Sequence, residues 1–154
     1  MKTGHVIAGV GTALVIGGLV YLAMKYQAVK KVVRSMIPVE LGICKEVNGV
    51  RMLPIILEAK NDSAFDLEIE TPSVNMIALN GVLVAQSALN ANPIVIKAKT
   101  TQRIPIDLMI RLKEIWDTDC KNGATQDLSR TKATFHISTI WNHLEFEKTL
   151  TPNQ

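Results

Sequence analysis

The sequence predicts an all-β domain of the β-sandwich class, preceded by a single N-terminal transmembrane helix. Three observations lead there. Nineteen residues from Val6 to Met24 carry no charge. From Val39 onward apolar residues recur with period two instead of helical spacing. Asn48-Gly49 and Asn80-Gly81, both hairpin signals, separate alternating stretches. The 154 residues suffice for about one domain. They divide into a segment 1–37, comprising a membrane helix and a basic stalk, and a β-domain 38–154.

The uncharged run comes first. Nineteen helical residues at ~1.5 Å each span roughly 28 Å, close to the hydrocarbon thickness of a bilayer. Tyr21 and Tyr26 stand near one end, where amphipathic rings favour the headgroup level. A secretory signal peptide has a shorter apolar core, about 7–15 residues, and a small-x-small cleavage site; neither fits here. Gly9, Ala13 and Gly17 recur at i, i+4 and i+8, a stripe on which a second helix could pack closely. Val29, Val32, Val33 and Met36 continue the helical spacing until Pro38, which disfavours helix at the residue before it. Lys25, Lys30, Lys31 and Arg34 lie within that continuation as candidate contacts to anionic lipid headgroups.

Charge is unevenly divided. Residues 1–37 hold five Lys/Arg and no acid, whereas residues 38–154 hold twelve Lys/Arg against fourteen Asp/Glu, so the formal +3 belongs to the N-terminal segment. A basic domain face is absent from this pattern, and nucleic acid is not an expected partner. The one-sided basic flank predicts a single-pass protein with its β-domain on the cytoplasmic side; the internal membrane of a virion is the alternative setting. Expected partners are a lipid bilayer and either another protein or a second copy. Cys44 and Cys120 have neither zinc nor redox spacing; one disulfide or two small buried thiols are both open, with thiols favoured.

About eight strands follow. Val39, Leu41, Ile43 and Val47 form one alternating face, and Leu53, Ile55, Leu57 and Ala59 the next. Phe65, Leu67 and Ile69 alternate with acids. Residues 74–79 and 82–87 flank Asn80-Gly81, and 93–98 form a short strand. Ile104, Ile106, Leu108 and Ile110 alternate around Pro105, whose missing amide donor predicts an edge or a bulge there. Leu108, Met109, Leu112, Ile115 and Trp116 also fit helical spacing and predict one short helix. After a polar stretch, Ala133, Phe135, Ile137 and Thr139 lead through an Asn142-His143 turn to Leu144, Phe146 and Leu150. Short strands with regularly placed turns argue a sandwich.

LPIILEAKN at Leu53–Asn61, FDLEIETPSVNMIALNGVLVAQS and PIVIKAKTTQRIPIDLMI together resemble the late-embryogenesis-abundant type-2 domain, also called the water-stress and hypersensitive-response domain. Asn61 stands at the family asparagine, with Asp62 where the family has proline; Leu79-Asn80-Gly81 matches the hairpin; Lys97 departs at another proline position. The resemblance covers roughly residues 39–150. It implies an immunoglobulin-like sandwich with one helix, no catalytic residues, and a link to stress protection and membranes.

No motif supplies chemistry. Asp117–Gly123 imitates a calcium loop, but Lys121 takes the fifth position, Gly123 the seventh and Leu128 the twelfth, against the EF-hand order. His136 lies near Ser138 without an evident triad. Glu68 with Glu70, and Glu145 with Glu147, share strand faces as solvated carboxylates do. Trp116 and Trp141 read as packing residues. No enzyme activity, cofactor or metal is expected. The expected function is a membrane-anchored structural or interaction protein presenting a non-catalytic sandwich, as in an assembly such as a lipid-containing phage virion. The alternative is a stress-protection module binding lipid or a small apolar ligand.

Overall fold

The computed structural model describes residues 3–88, 90–112 and 133–151, with side-chain surroundings from residue 16 onward. One helix, α1 (Thr3–Ser35), precedes ten strands. These are β1 (Ile37–Leu41), β2 (Lys45–Val47), β3 (Val50–Asn61), β4 (Leu67–Glu70), β5 (Ser73–Ala78), β6 (Leu83–Ser87), β7 (Pro93–Ile96), β8 (Thr100–Ile110), β9 (Ala133–Trp141) and β10 (Leu144–Leu150). Eight strands form one sheet in the order β1-β3-β8-β6-β5-β9-β10, with β2 also on β3; β4 and β7 pair separately. All pairings are antiparallel.

Among the described residues no helix is long and apolar enough to cross a membrane. The transmembrane helix, the single-pass placement with a cytoplasmic β-domain and the virion-membrane setting therefore lose their support. The C-terminal half of the helix serves the domain. From Ile16 to Ser35 it carries Lys25, Lys30, Lys31 and Arg34, and its later apolar residues serve the domain core. Ala28, Val29, Val32, Val33 and Met36 are buried together with residues of the sheet. The all-β character of the domain stands, with its described strands arranged as one sheet of eight and one pair.

The alternation seen in the sequence is what buries the sheet. Leu53, Ile55, Leu57, Ala59 and Asn61 are all buried on β3, as are Ile104, Ile106 and Leu108 on β8 and Ala133, Phe135, Ile137 and Thr139 on β9. Three apolar residues depart from the pattern: Ile43, between β1 and β2, Val47 at the end of β2 and Leu144 at the start of β10 are exposed. Helix α1 touches β3 near one end of the sheet and β10 at the other, so both ends of the strand order meet at the helix. Lys148 on β10 fastens this closure by donating to the carbonyls of Arg34 (2.6 Å) and Met36 (2.8 Å). Those carbonyls belong to a helix C-terminus, where a cation is favoured.

Turns follow their residues. Asn48 and Gly49 both have positive φ, the two-residue hairpin geometry, and so do Asn142 and His143. At the third hairpin only Gly81 of the Asn-Gly pair does. Gly81 N–H donates to Ala78 C=O at 2.8 Å, and the register shifts between Met76 and Ile77. Pro105 pairs with Ile56 on β3, while β6 reaches β8 only at Leu108–Ile110; the proline thus falls where β8 has a strand on one side. Gly42 passes so close to Pro54 that an added Cβ would lie 2.8 Å from Pro54 Cγ. Cys44 is disulfide-bonded, and the other cysteine of the chain is Cys120; this replaces the favoured reading of free thiols. The expected helix over 108–116 yields to strand through Ile110. Trp116, Cys120 itself and the calcium-like stretch from Asp117 lie outside the described residues.

Candidate functional site

A groove of about 590 Å³ runs between one face of α1 and the segment joining β3 to β4. Its helical wall is Val20, Ala23, Met24, Gln27, Ala28, Lys31, Val32 and Ser35, and its other wall is Lys60–Phe65. The helical residues recur at three- and four-residue steps, which puts them on one face. Fifteen residues separate Val20 from Ser35, or roughly 22 Å of helix axis at ~1.5 Å per residue. The volume lies within the usual range for small-molecule sites, about 300–1,000 Å³.

Hydrogen bonds hold the second wall. β1 pairs with β3 only as far as Glu58, so Lys60 lies beyond the last β1 partner. Ser35 takes that place. Its Oγ accepts the Lys60 N–H at 2.9 Å and donates to Val32 C=O at 2.6 Å, with Lys60 C=O at 3.2 Å as a second acceptor. Asn61 is 1% exposed and uses its whole amide. Nδ2 donates to Phe65 C=O (2.8 Å) and to Ile96 C=O (3.0 Å). Oδ1 accepts from Ser63 N–H (3.1 Å) and from the Ser63 hydroxyl (2.7 Å). All four bonding positions of a primary amide are filled, and one side chain fixes a five-residue bend while joining β3 to β7. Asp66 secures the far end, accepting from Ala98 N–H (2.8 Å) and Lys97 Nζ (3.1 Å). The Ala98 N–H first, then the Lys97 ammonium, hold its carboxyl below the usual aspartate range.

The groove has unlike ends. At one, the Tyr21 and Phe65 rings meet edge to face with centroids 5.4 Å apart, among Val20, Ala23, Met24 and Ala64. At the other stand Lys31, Ser35, Lys60 and Asp62. Lys60 Nζ pairs with Asp62 at 3.2 Å, and Lys99 Nζ donates to the Asp62 carbonyl.

The residues singled out in the sequence are dispersed. Of Lys25, Lys30, Lys31 and Arg34, only Lys31 lines the groove. Lys25 Nζ lies 5.0 Å from the Tyr21 ring centroid, a cation–π arrangement. Lys30 is half-buried, and Arg34 is exposed with its carbonyl bound by Lys148. Gly17 has nothing within 4 Å of an added Cβ; the side-chain surroundings of Gly9 and Ala13 lie outside the description. His136 Nδ1 is 2.9 Å from the Thr149 hydroxyl, and the Ser138 hydroxyl bonds instead to Ser73 at 3.0 Å. Glu68, Glu70 and His143 line a second, open cavity of about 290 Å³. Among the described residues no group of three or more His, Cys, Asp or Glu could hold a metal. The groove itself was missed from sequence. Its signal was Asn61 at the end of a buried-face series, a polar residue where alternation calls for an apolar one.

No family model matches the chain, and no curated protein matches it. Among solved structures it is similar to the crystal structure of a protein from Archaeoglobus fulgidus, at 17% identity over 78% of this chain and 97% of that one, with a TM-score of 0.43.

Proposed function

We propose that this protein is a non-catalytic binding module that takes an apolar, lipid-like ligand into the groove beside α1. The observation that carries this reading is the groove: an elongated, largely apolar trough whose second wall is held rigidly by the buried Asn61 amide. Sites for apolar ligands have this composition, with few polar groups at defined places. The resemblance to the late-embryogenesis-abundant type-2 domain agrees with a binding role over an enzymatic one. The test is delipidated protein titrated with an environment-sensitive apolar dye. Stoichiometric saturable binding in the wild type, lost in Ala23→Trp, is expected; Ala23 is exposed and lines the groove, so a bulky ring there occupies the trough without entering the core. No saturable binding by well-folded protein would refute the reading.

A second reading has its own observation. Ile16, Leu19, Val20, Tyr21, Leu22 and Met24 are exposed on several sides of α1, and contiguous exposed apolar surface marks an interaction site. A structural role through a protein partner or a second copy would cover it. Light scattering on wild type and Leu19→Gln/Leu22→Gln tests self-association: a concentration-independent monomer in both would sink the second-copy form.

A further inference from the structure

Resting on the binding reading above, we infer that the groove is directional and selects a long single-chain carboxylate, with its anionic head at Lys31 and its tail toward Phe65. Three observations combine. First, the ends differ in chemistry: Val20, Ala23, Met24 and Phe65 make one end apolar, and Lys31, Ser35, Lys60 and Asp62 make the other polar. Second, the charges at the polar end are unequally committed. Lys60 is paired with Asp62, which leaves Lys31 as the cation of the groove lining with no ion pair among the described residues. One uncommitted ammonium supplies one charge-assisted contact, and its single charge is matched by that of a carboxylate. Third, the shape is long: roughly 22 Å along the helix suits an extended alkyl chain better than a compact ring.

Lys25 does not compete for the head. It is not part of the lining, and its ammonium already lies over the Tyr21 face. The apolar end is also continuous with the exposed Ile16–Leu19 turn of α1, so a tail longer than the trough leaves along an apolar surface.

The test compares hexadecanoate, hexadecanol, hexadecyltrimethylammonium and lysophosphatidate by calorimetry and by dye displacement, on the full chain after delipidation. Hexadecanoate is expected to bind at least about tenfold more tightly than hexadecanol, the order of one charge-assisted contact. Lys31→Gln should bring the two within about threefold through weaker hexadecanoate binding, and Lys25→Gln, outside the lining, should leave the preference intact. Lys31 is exposed and Lys25 half-buried, and far-UV circular dichroism checks that both variants fold. Equal binding of acid and alcohol by the wild type overturns the directional assignment while sparing the groove. Tighter binding of lysophosphatidate, or of the cationic amphiphile, overturns the choice of head. Binding of none of the four overturns the groove itself. Capture by phosphatidylglycerol vesicles without single-chain binding overturns it in favour of a lipid surface.

Discussion

Replacing Asn61 with alanine should destabilise the domain by about 2–4 kcal/mol. Ile96 C=O would lose its amide donor, and a buried acceptor left unsatisfied costs about 1–3 kcal/mol. Phe65 C=O would retain only the longer bond from the Ser63 hydroxyl at 3.2 Å, and Ser63 N–H would lose its acceptor. Removal of the amide from a site 1% exposed leaves a small void as well. Against a typical total of about 5–15 kcal/mol this is a large fraction. Urea unfolding followed by tryptophan fluorescence reads it directly. With a slope of about 2 kcal/mol/M, the middle of the usual range for urea, the midpoint should fall by roughly 1–2 M. Asn61→Asp provides the sharper control because it is nearly isosteric. It keeps an acceptor toward Ser63 but turns a second oxygen toward two carbonyls. The introduced carboxyl is held neutral in the folded state, so its folded pKa is raised. Stability should then be retained below the unfolded value of about 4 and lost as pH rises through the folded one. A midpoint shift worth less than about 0.5 kcal/mol in Asn61→Ala, or a pH-independent Asn61→Asp, would refute the reasoning.

Further outcomes follow from the same contacts. Gly42→Ala should cost about 1–3 kcal/mol in a denaturant titration, because the new methyl meets the Pro54 ring at 2.8 Å and a proline ring cannot rotate away. Lys148→Met keeps the apolar stem but removes the donor to Arg34 and Met36 C=O; a loss of about 1–2 kcal/mol is expected, with earlier amide exchange in the last turn of α1. Burial of Lys148 lowers its ammonium pKa, so this residue makes the folded state relatively more stable as pH rises above that lowered value. Reduction of the Cys44 disulfide should cost about 2–4 kcal/mol of stability and lower the thermal midpoint accordingly, read by scanning calorimetry with and without reductant. The lowered Asp66 pKa means its contribution is present above the unfolded value of about 3.9 and lost as pH falls through the folded one; Asp66→Asn should flatten that part of the acid-unfolding curve.

Much of the strand content was legible because alternation reports directly on which side chains face a core. Period alone predicts the inward faces of Leu53 to Ala59, Ile104 to Leu108 and Ala133 to Ile137, and those faces are buried. The helical spacing of Val29, Val32, Val33 and Met36 was equally visible. Its destination was not, since a stripe of valines looks the same whether it faces lipid or a sheet. The candidate site was barely legible. Its walls come from Val20–Ser35 and Lys60–Phe65, and even their nearest ends, Ser35 and Lys60, are 25 residues apart; the charge of Lys31 suggests a headgroup contact but gives no indication of the trough it lines.

By itself, then, the sequence determined local conformation: where the backbone extends, where Gly49 and Gly81 permit a turn, where Pro38 stops a helix, and that the basic excess lies at the N-terminal end. Those properties depend on neighbours within a few residues. Tertiary structure decided the rest. It divided the strands eight and two, brought β3 and β10 to the same helix, bound Lys148 to the end of α1, and made Asn61 the support of a groove wall. Each of these depends on contacts between residues distant in the chain, and a one-dimensional pattern of polar and apolar residues carries no record of which of two like faces will meet.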